Sequence, residues 1–184
     1  MARKPRPAAP GISAQSELDT ILRVDHAGEF GAVRIYKGQL DVLKRNPRAR
    51  EAVAAVREMA RTEDEHLAKF QGLLSEHRVR PTALEPFWRV AGYALGAGTA
   101  LMGEKAAMAC TAAVERVIDA HYAGQMARLP AGDLKDTIRK FRDEEIAHRD
   151  EALARGAEKA PFYRLLDAAI AAGCRAAIAL SERI

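Results

Sequence analysis

Apolar residues recur at three- and four-residue spacing along most of the chain, and the interruptions fall at proline, glycine and asparagine, so the pattern predicts a succession of helices. Ser16, with Asp19 three residues on and an apolar run behind it, marks a helix start, and the periodicity holds to Asn46-Pro47. A second stretch runs from about Arg48 to His77, with Val53, Val56, Met59, Leu67, Phe70 and Leu74 on one face, and Pro81 closes it. The third apolar region, from near Leu84 to about Arg128, is too long for an ordinary helix. Softened by Gly92, Gly96, Gly98 and Gly103, it reads as one kinked helix or as two. Pro130 to Gly132 is a turn, a fourth helix follows from about Asp133 to Arg155, and Pro161 opens a fifth toward Ile184.

Composition narrows the class. Hydrophobic residues make up 48% of the 184 positions but aromatics only 5%, and many apolar positions are alanine, which suits close-packed helices and poorly suits a sheet. The expectation is an all-α chain of one domain over residues 16–184, preceded by a disordered basic tail over residues 1–15. That start carries Arg3, Lys4 and Arg6 among prolines and has no apolar run, so it is not a secretory signal. The net charge of +4 comes mostly from it. The remaining body is nearly neutral and has no basic stripe interleaved with aromatics, which excludes a nucleic-acid partner. Cys110 and Cys174 lie in alanine-rich segments without CxxC spacing, so they read as small buried hydrophobes rather than a disulfide or a zinc site.

The chemistry lies in two Glu-x-x-His units, Glu63 with His66 on the second helix and Glu145 with His148 on the fourth. A spacing of three puts both side chains on one helix face, where hard carboxylate oxygen and borderline imidazole nitrogen suit iron or manganese. Ahead of each unit, on the preceding helix, stands a lone glutamate: Glu29 lies 34 residues before Glu63, and Glu115 lies 30 before Glu145. Two helix pairs of matching layout, facing each other, would bring four Glu and two His to a bundle axis, the arrangement of a two-metal carboxylate site. Glu115 is the strongest indicator, because an unpaired carboxylate in an apolar alanine-rich stretch is strongly disfavoured. Singly, each residue has a plainer account, since Glu63 and Glu145 stand among Asp64, Glu65, Asp143 and Glu144 and could belong to solvated acidic faces. Glu144 also competes with Glu145, standing four residues from His148, and the parallel with Glu63 and His66 favours Glu145.

Longer blocks carry a resemblance. Arg23 to Ala32 (RVDHAGEFGA), Gly92 to Leu101 (GYALGAGTAL), Phe141 to Glu145 (FRDEE) and the ending Ala172 to Arg183 resemble the demethoxyubiquinone hydroxylase family of ubiquinone biosynthesis, over about Leu22 to Ile184. The resemblance implies a ferritin-like four-helix bundle with additional membrane-interfacial helices. It implies an O2-dependent di-iron monooxygenase that hydroxylates the benzoquinol ring of a polyprenylated demethoxyubiquinol, with NADH as electron donor. The family's iron ligands carry over as Glu29, Glu63, His66, Glu115, Glu145 and His148, two Fe ions per chain. His121 and Tyr122 match a family His-Tyr pair, for which supporting hydrogen bonds, electron relay or plain packing are the open roles. Implied partners are the polyprenyl quinol, a membrane lipid surface, other ubiquinone-biosynthesis proteins and a second copy of the chain. The absence of a long transit sequence and a short Ala127 to Asp133 connection favour a bacterial protein on the cytoplasmic face of the inner membrane, with the mitochondrial inner membrane as the eukaryotic counterpart.

A polyprenyl quinol is met at the bilayer. Val90 to Gly103, fourteen residues without charge and with Leu95 near its middle, and Ala168 to Cys174, seven, are both shorter than the roughly 20 residues needed to span. With Arg89, Lys105 and Arg175 beside them, they suit helices lying at the interface, against the alternative of ordinary bundle core. Two rivals remain at this level: a ferritin- or rubrerythrin-like iron-binding or peroxidase protein, which would share the ligands but need no apolar access region, and a metal-free membrane adaptor, which would not explain the repeated Glu layout.

Overall fold

The computed structural model describes residues 14–184, which form α1 (Ala14–Leu43), α2 (Arg50–His77), α3 (Glu85–Leu101), α4 (Glu104–Met126), α5 (Asp133–Ala154) and α6 (Tyr163–Ser181). Short 3-10 turns occupy Pro47–Ala49 and Ala157–Lys159, and no strand occurs among the described residues. Residues 1–13 of the expected basic tail lie outside the described residues, whereas Ala14 and Gln15 already belong to α1. Asn46 caps the turn between α1 and α2 by accepting a hydrogen bond from the Arg48 amide. Arg78, in a left-handed conformation, caps α2 by bonding back to Leu74 and Ser75.

The long apolar region from Leu84 to Arg128 is two helices, and one glycine divides it. Gly103 has φ 114°, a region in which a side chain is strained, and its carbonyl starts α4 by accepting from Ala106 and Ala107. Gly92 and Gly96 do something else. A Cβ on Gly96 would sit 1.9 Å from the Ile35 carbonyl oxygen, and one on Gly92 would sit 2.9 Å from that of Gly31. Gly38 answers from α1, its missing Cβ being 2.3 Å from the Tyr93 carbonyl. These glycines allow α3 to lie backbone against backbone along α1, a role for Gly92 and Gly96 that the sequence pattern presented only as helix softening.

The hairpins α1–α2 and α4–α5 make a ferritin-like four-helix bundle, with α3 laid along α1 and α6 along α4. The chain is therefore two three-helix units of the same layout. Apolar side chains fill the bundle at two levels. Ile21, Leu22, Phe70, Leu74, Tyr122, Ile138 and Phe141 form one, and Tyr36, Val56, Met59, Met108 and the alanines of α4 form the other. On every one of the four helices, the candidate metal residues fall between these two levels.

The α1–α3 contact gives a direct test. Gly96→Ala forces the two backbones apart and should cost about 1–3 kcal/mol, whereas Gly98→Ala, with nothing within 4 Å of its Cβ, should stabilise the helix by about 0.5–1 kcal/mol. Thermal melts followed by circular dichroism should move in opposite directions for the two variants, and equal shifts would contradict the close approach.

Candidate metal centre

All six residues singled out by spacing meet in the middle of the bundle. Glu29, Glu63, His66 and Glu145 form one group and Glu63, Glu115, Glu145 and His148 a second, with the donor atoms of each group within 4.8 Å of one another and every residue buried. The glutamates of the two Glu-x-x-His units belong to both groups, while Glu29 and Glu115 each belong to one. Helix periodicity accounts for this placement: a three-residue step along α2 and α5 turns Glu and His inward together, one turn from Met59 and Phe70 on α2 and from Phe141 and Ala152 on α5.

The polar atoms are poorly served by the protein alone. Glu29 Oε2, both oxygens of Glu63, Glu115 Oε2, Glu145 Oε2 and His148 Nδ1 are buried without a hydrogen-bond partner. His148 Nδ1 comes within 3.1 Å of Glu63 Oε1 but not in hydrogen-bonding geometry. Buried carboxylates left in that condition are costly unless a cation neutralises them, and a hard-oxygen and imidazole donor set fits divalent iron or manganese. The residues present thus fit a pair of metal ions with Glu63 and Glu145 shared.

Comparison with known proteins gives the family of the chain. Residues 16–181 match the family described as ubiquinone biosynthesis protein COQ7. A Rhodospirillum rubrum 3-demethoxyubiquinol 3-hydroxylase is 54% identical over 91% of this chain and 78% of its own length. A human mitochondrial NADPH-dependent 3-demethoxyubiquinone 3-hydroxylase is 49% identical over 93% and 80%. A yeast mitochondrial 5-demethoxyubiquinone hydroxylase is 40% identical over 91% and 78%. The chain belongs to the COQ7 family.

The contacts around the six residues distinguish ligand candidates from supporters. Glu144, the competitor of Glu145, lies outside the cluster: its Oε2 accepts from His66 Nε2 at 2.8 Å, while Nδ1 of the same ring faces Glu145 Oε1 at 3.2 Å and Glu29 Oε2 at 3.6 Å. The ring is further held by Phe141, stacked at 3.8 Å. Tyr122 donates its hydroxyl proton to Glu29 Oε1. His121 is one step removed, 3.3 Å from Asp25 Oδ1, which also accepts from Gln125 at 2.6 Å. Tyr36, which the sequence reading did not single out, donates to Glu115 Oε1 at 2.6 Å. A signal for it exists in the repeat, because Tyr36 follows Glu29 by seven residues as Tyr122 follows Glu115.

Burial raises the carboxyls of Glu63, Glu115 and Glu145 above their usual range, and the neighbouring carboxylates add to it; for Glu145 the His66 ring works in the opposite sense. Burial alone would depress His66, but Glu145 and Glu29 carry it up to about 10, whereas burial depresses His148. For a pH prediction the raised groups share one sign and outnumber the depressed His148, which alone among these groups favours the fold as pH rises toward 6.5. Raised carboxyls favour the fold while they are protonated and lose that advantage once the unfolded groups ionise above about 4.5. The raised His66 contributes below its unfolded value of 6.5 and loses its share as pH climbs toward 10. Metal-free protein should therefore melt at progressively lower temperature from about pH 5 to pH 8, and saturating Fe(II) or Mn(II) should flatten or reverse the trend. A metal-free melting temperature that rises over that window would contradict the burial of these groups.

Proposed function

We propose that Glu29, Glu63, His66, Glu115, Glu145 and His148 hold two iron ions, and that the chain uses them with O2 to hydroxylate the benzoquinol ring of a polyprenylated demethoxyubiquinol in ubiquinone biosynthesis. The observation that carries the reading is the cluster in which two carboxylates belong to both groups, inside a bundle whose relatives are named as demethoxyubiquinol or demethoxyubiquinone hydroxylases. Bound iron would supply the redox chemistry by which one oxygen atom enters the ring and the other leaves as water. The protein's part is positional. Tyr122 and Tyr36 orient Glu29 and Glu115 through their hydroxyls, Glu144 and Phe141 fix the His66 ring, and the apolar levels on either side keep water from the ligands. Electrons come from a reduced nicotinamide. The sequence resemblance suggested NADH, while human and several other relatives are named NADPH-dependent, so NADPH belongs beside NADH in any assay.

The substrate's polyprenyl tail requires access from a bilayer. No helix among the described residues is long and apolar enough to cross a membrane. We place the chain as a peripheral protein on the cytoplasmic face of a bacterial inner membrane, or on the mitochondrial inner membrane in a eukaryote, resting on α3 and α6. Phe87, Val90, Leu101, Met102, Phe162, Leu165 and Leu180, exposed large apolar side chains, all lie on or beside these two helices. The helices run antiparallel, the start of α3 tied to the chain end by Trp88 to Ser181 and Thr82 to the Ile184 carbonyl. Leu95, at the middle of the sequence's candidate lipid segment, is half-buried against the cluster that includes Ile35, Cys110 and Val114, so the more exposed Val90 is the better probe of a lipid face. A ferritin-like iron store would need no such face.

Three outcomes test the proposal. Aerobic turnover of a demethoxyubiquinol with NADH or NADPH, scored by mass spectrometry, should give the hydroxylated product. Glu115→Ala should abolish it and weaken iron retention, while Glu158→Ala at an exposed position should do neither; matching behaviour of the two variants would remove Glu115 from the site. For the membrane face, Val90→Glu or Leu165→Glu should release the protein from liposomes and lower turnover of a long-tailed quinol while sparing a short-tailed analogue. Undiminished flotation would place the lipid contact elsewhere.

A further inference from the structure

The two halves of the centre repeat one another closely. Tyr36, seven residues after Glu29, donates to Glu115, and Tyr122, seven after Glu115, donates to Glu29. Gln39, ten after Glu29, reaches Thr111, four before Glu115; Gln125, ten after Glu115, reaches Asp25, four before Glu29. Each contact crosses to the other half and is answered by its counterpart.

At the residue just ahead of each Glu-x-x-His unit, the repeat breaks. Glu144 crosses from α5 to accept the Nε2–H of His66 at 2.8 Å, its other oxygen 3.5 Å from Lys140 Nζ. Its counterpart is Thr62, whose hydroxyl donates at 3.4 Å to the Glu58 carbonyl on its own helix. Among the described residues nothing hydrogen-bonds the His148 ring, which is also 8% exposed against 1% for His66. One histidine is therefore held by a carboxylate on its outer nitrogen and by a stacked phenyl ring, and the other is not.

We propose that Glu144 is a positioning residue for His66 and that this one-sided contact makes the two metal positions unequal. The ion on Glu29 and His66 is retained more tightly than the ion on Glu115 and His148. The proposal rests on reading the six residues as ligands. A ring whose Nε2–H is already committed presents Nδ1 to the metal without reorientation, and the carboxylate makes that nitrogen a better donor; losing such a partner costs about 10–100-fold in metal affinity. A purely structural α2–α5 contact would loosen both ions together or neither.

The test loads the full chain anaerobically with Fe(II) and follows release to excess chelator. Wild type should release two irons in two phases of one ion each. Glu144→Ala should speed the slow phase by about tenfold or more and leave the fast phase unchanged. Glu144→Gln, whose amide oxygen still accepts from Nε2–H, should keep most of the slow phase. Thr62→Glu, supplying the missing carboxylate, should slow the fast phase; it tests the claim independently if Glu144→Ala loses helicity. A single release phase for two bound ions, or Glu144→Ala acting on both phases alike, would overturn the inequality while leaving the ligand assignment standing. Absence of Fe(II) binding would overturn both.

Discussion

Four carboxylates and two imidazoles sit where a protein interior tolerates charge least, and the rest of the molecule is arranged around that cost. Glu63 is fully buried with neither oxygen hydrogen-bonded, and Glu29, Glu115 and Glu145 each keep an orphaned oxygen. A bundle of apolar side chains holds such a set in its ionised form only at a cost of several kcal/mol for each unpaired buried carboxylate, which protonation or a compensating cation removes. Two divalent cations would supply four positive charges to four glutamates, making the centre neutral with neutral histidines. Metal binding would in this sense add directly to the stability of the fold.

That constraint also explains the repeat. A site of two ions with two shared carboxylates is satisfied most simply by two equivalent helix pairs, each giving one lone Glu and one Glu-x-x-His unit. The duplication extends past the ligands to the third helix of each unit, because α3 lies on α1 as α6 lies on α4. Most of the exposed large apolar side chains lie on or beside these outer helices, while Glu65 on α2 and Asp136 on α5 face water. The halves differ where the chemistry of two ions could differ, at Glu144 against Thr62 and at Asp25 against Thr111.

The six buried residues could be picked out from spacing because helical periodicity converts a three-residue step into a shared face, and because Glu115 stood alone among alanines. The helix order was equally readable from prolines and glycines. What spacing could not resolve was the meaning of individual glycines: Gly92, Gly96 and Gly103 look alike in sequence, yet two permit backbone contact with α1 and the third turns the chain at positive φ. That difference depends on a neighbour 61 residues away, Gly31 for Gly92 and Ile35 for Gly96, which no local pattern reports. Leu95 shows the same limit, since hydropathy does not say which side of an apolar helix meets protein and this residue is half-buried against the cluster of Ile35, Cys110 and Val114. Tyr36 went unnoticed although the repeat that located the ligands also located it, and Glu144 took a role on His66 that required the opposite helix to be seen.

The central claim is that this core is built for two ions rather than one or none. Metal analysis of the full chain after anaerobic Fe(II) loading and removal of unbound metal tests it most directly. The account predicts close to two irons per chain, falling when either shared carboxylate, Glu63 or Glu145, is replaced by alanine; one iron or none in the unaltered chain would contradict it.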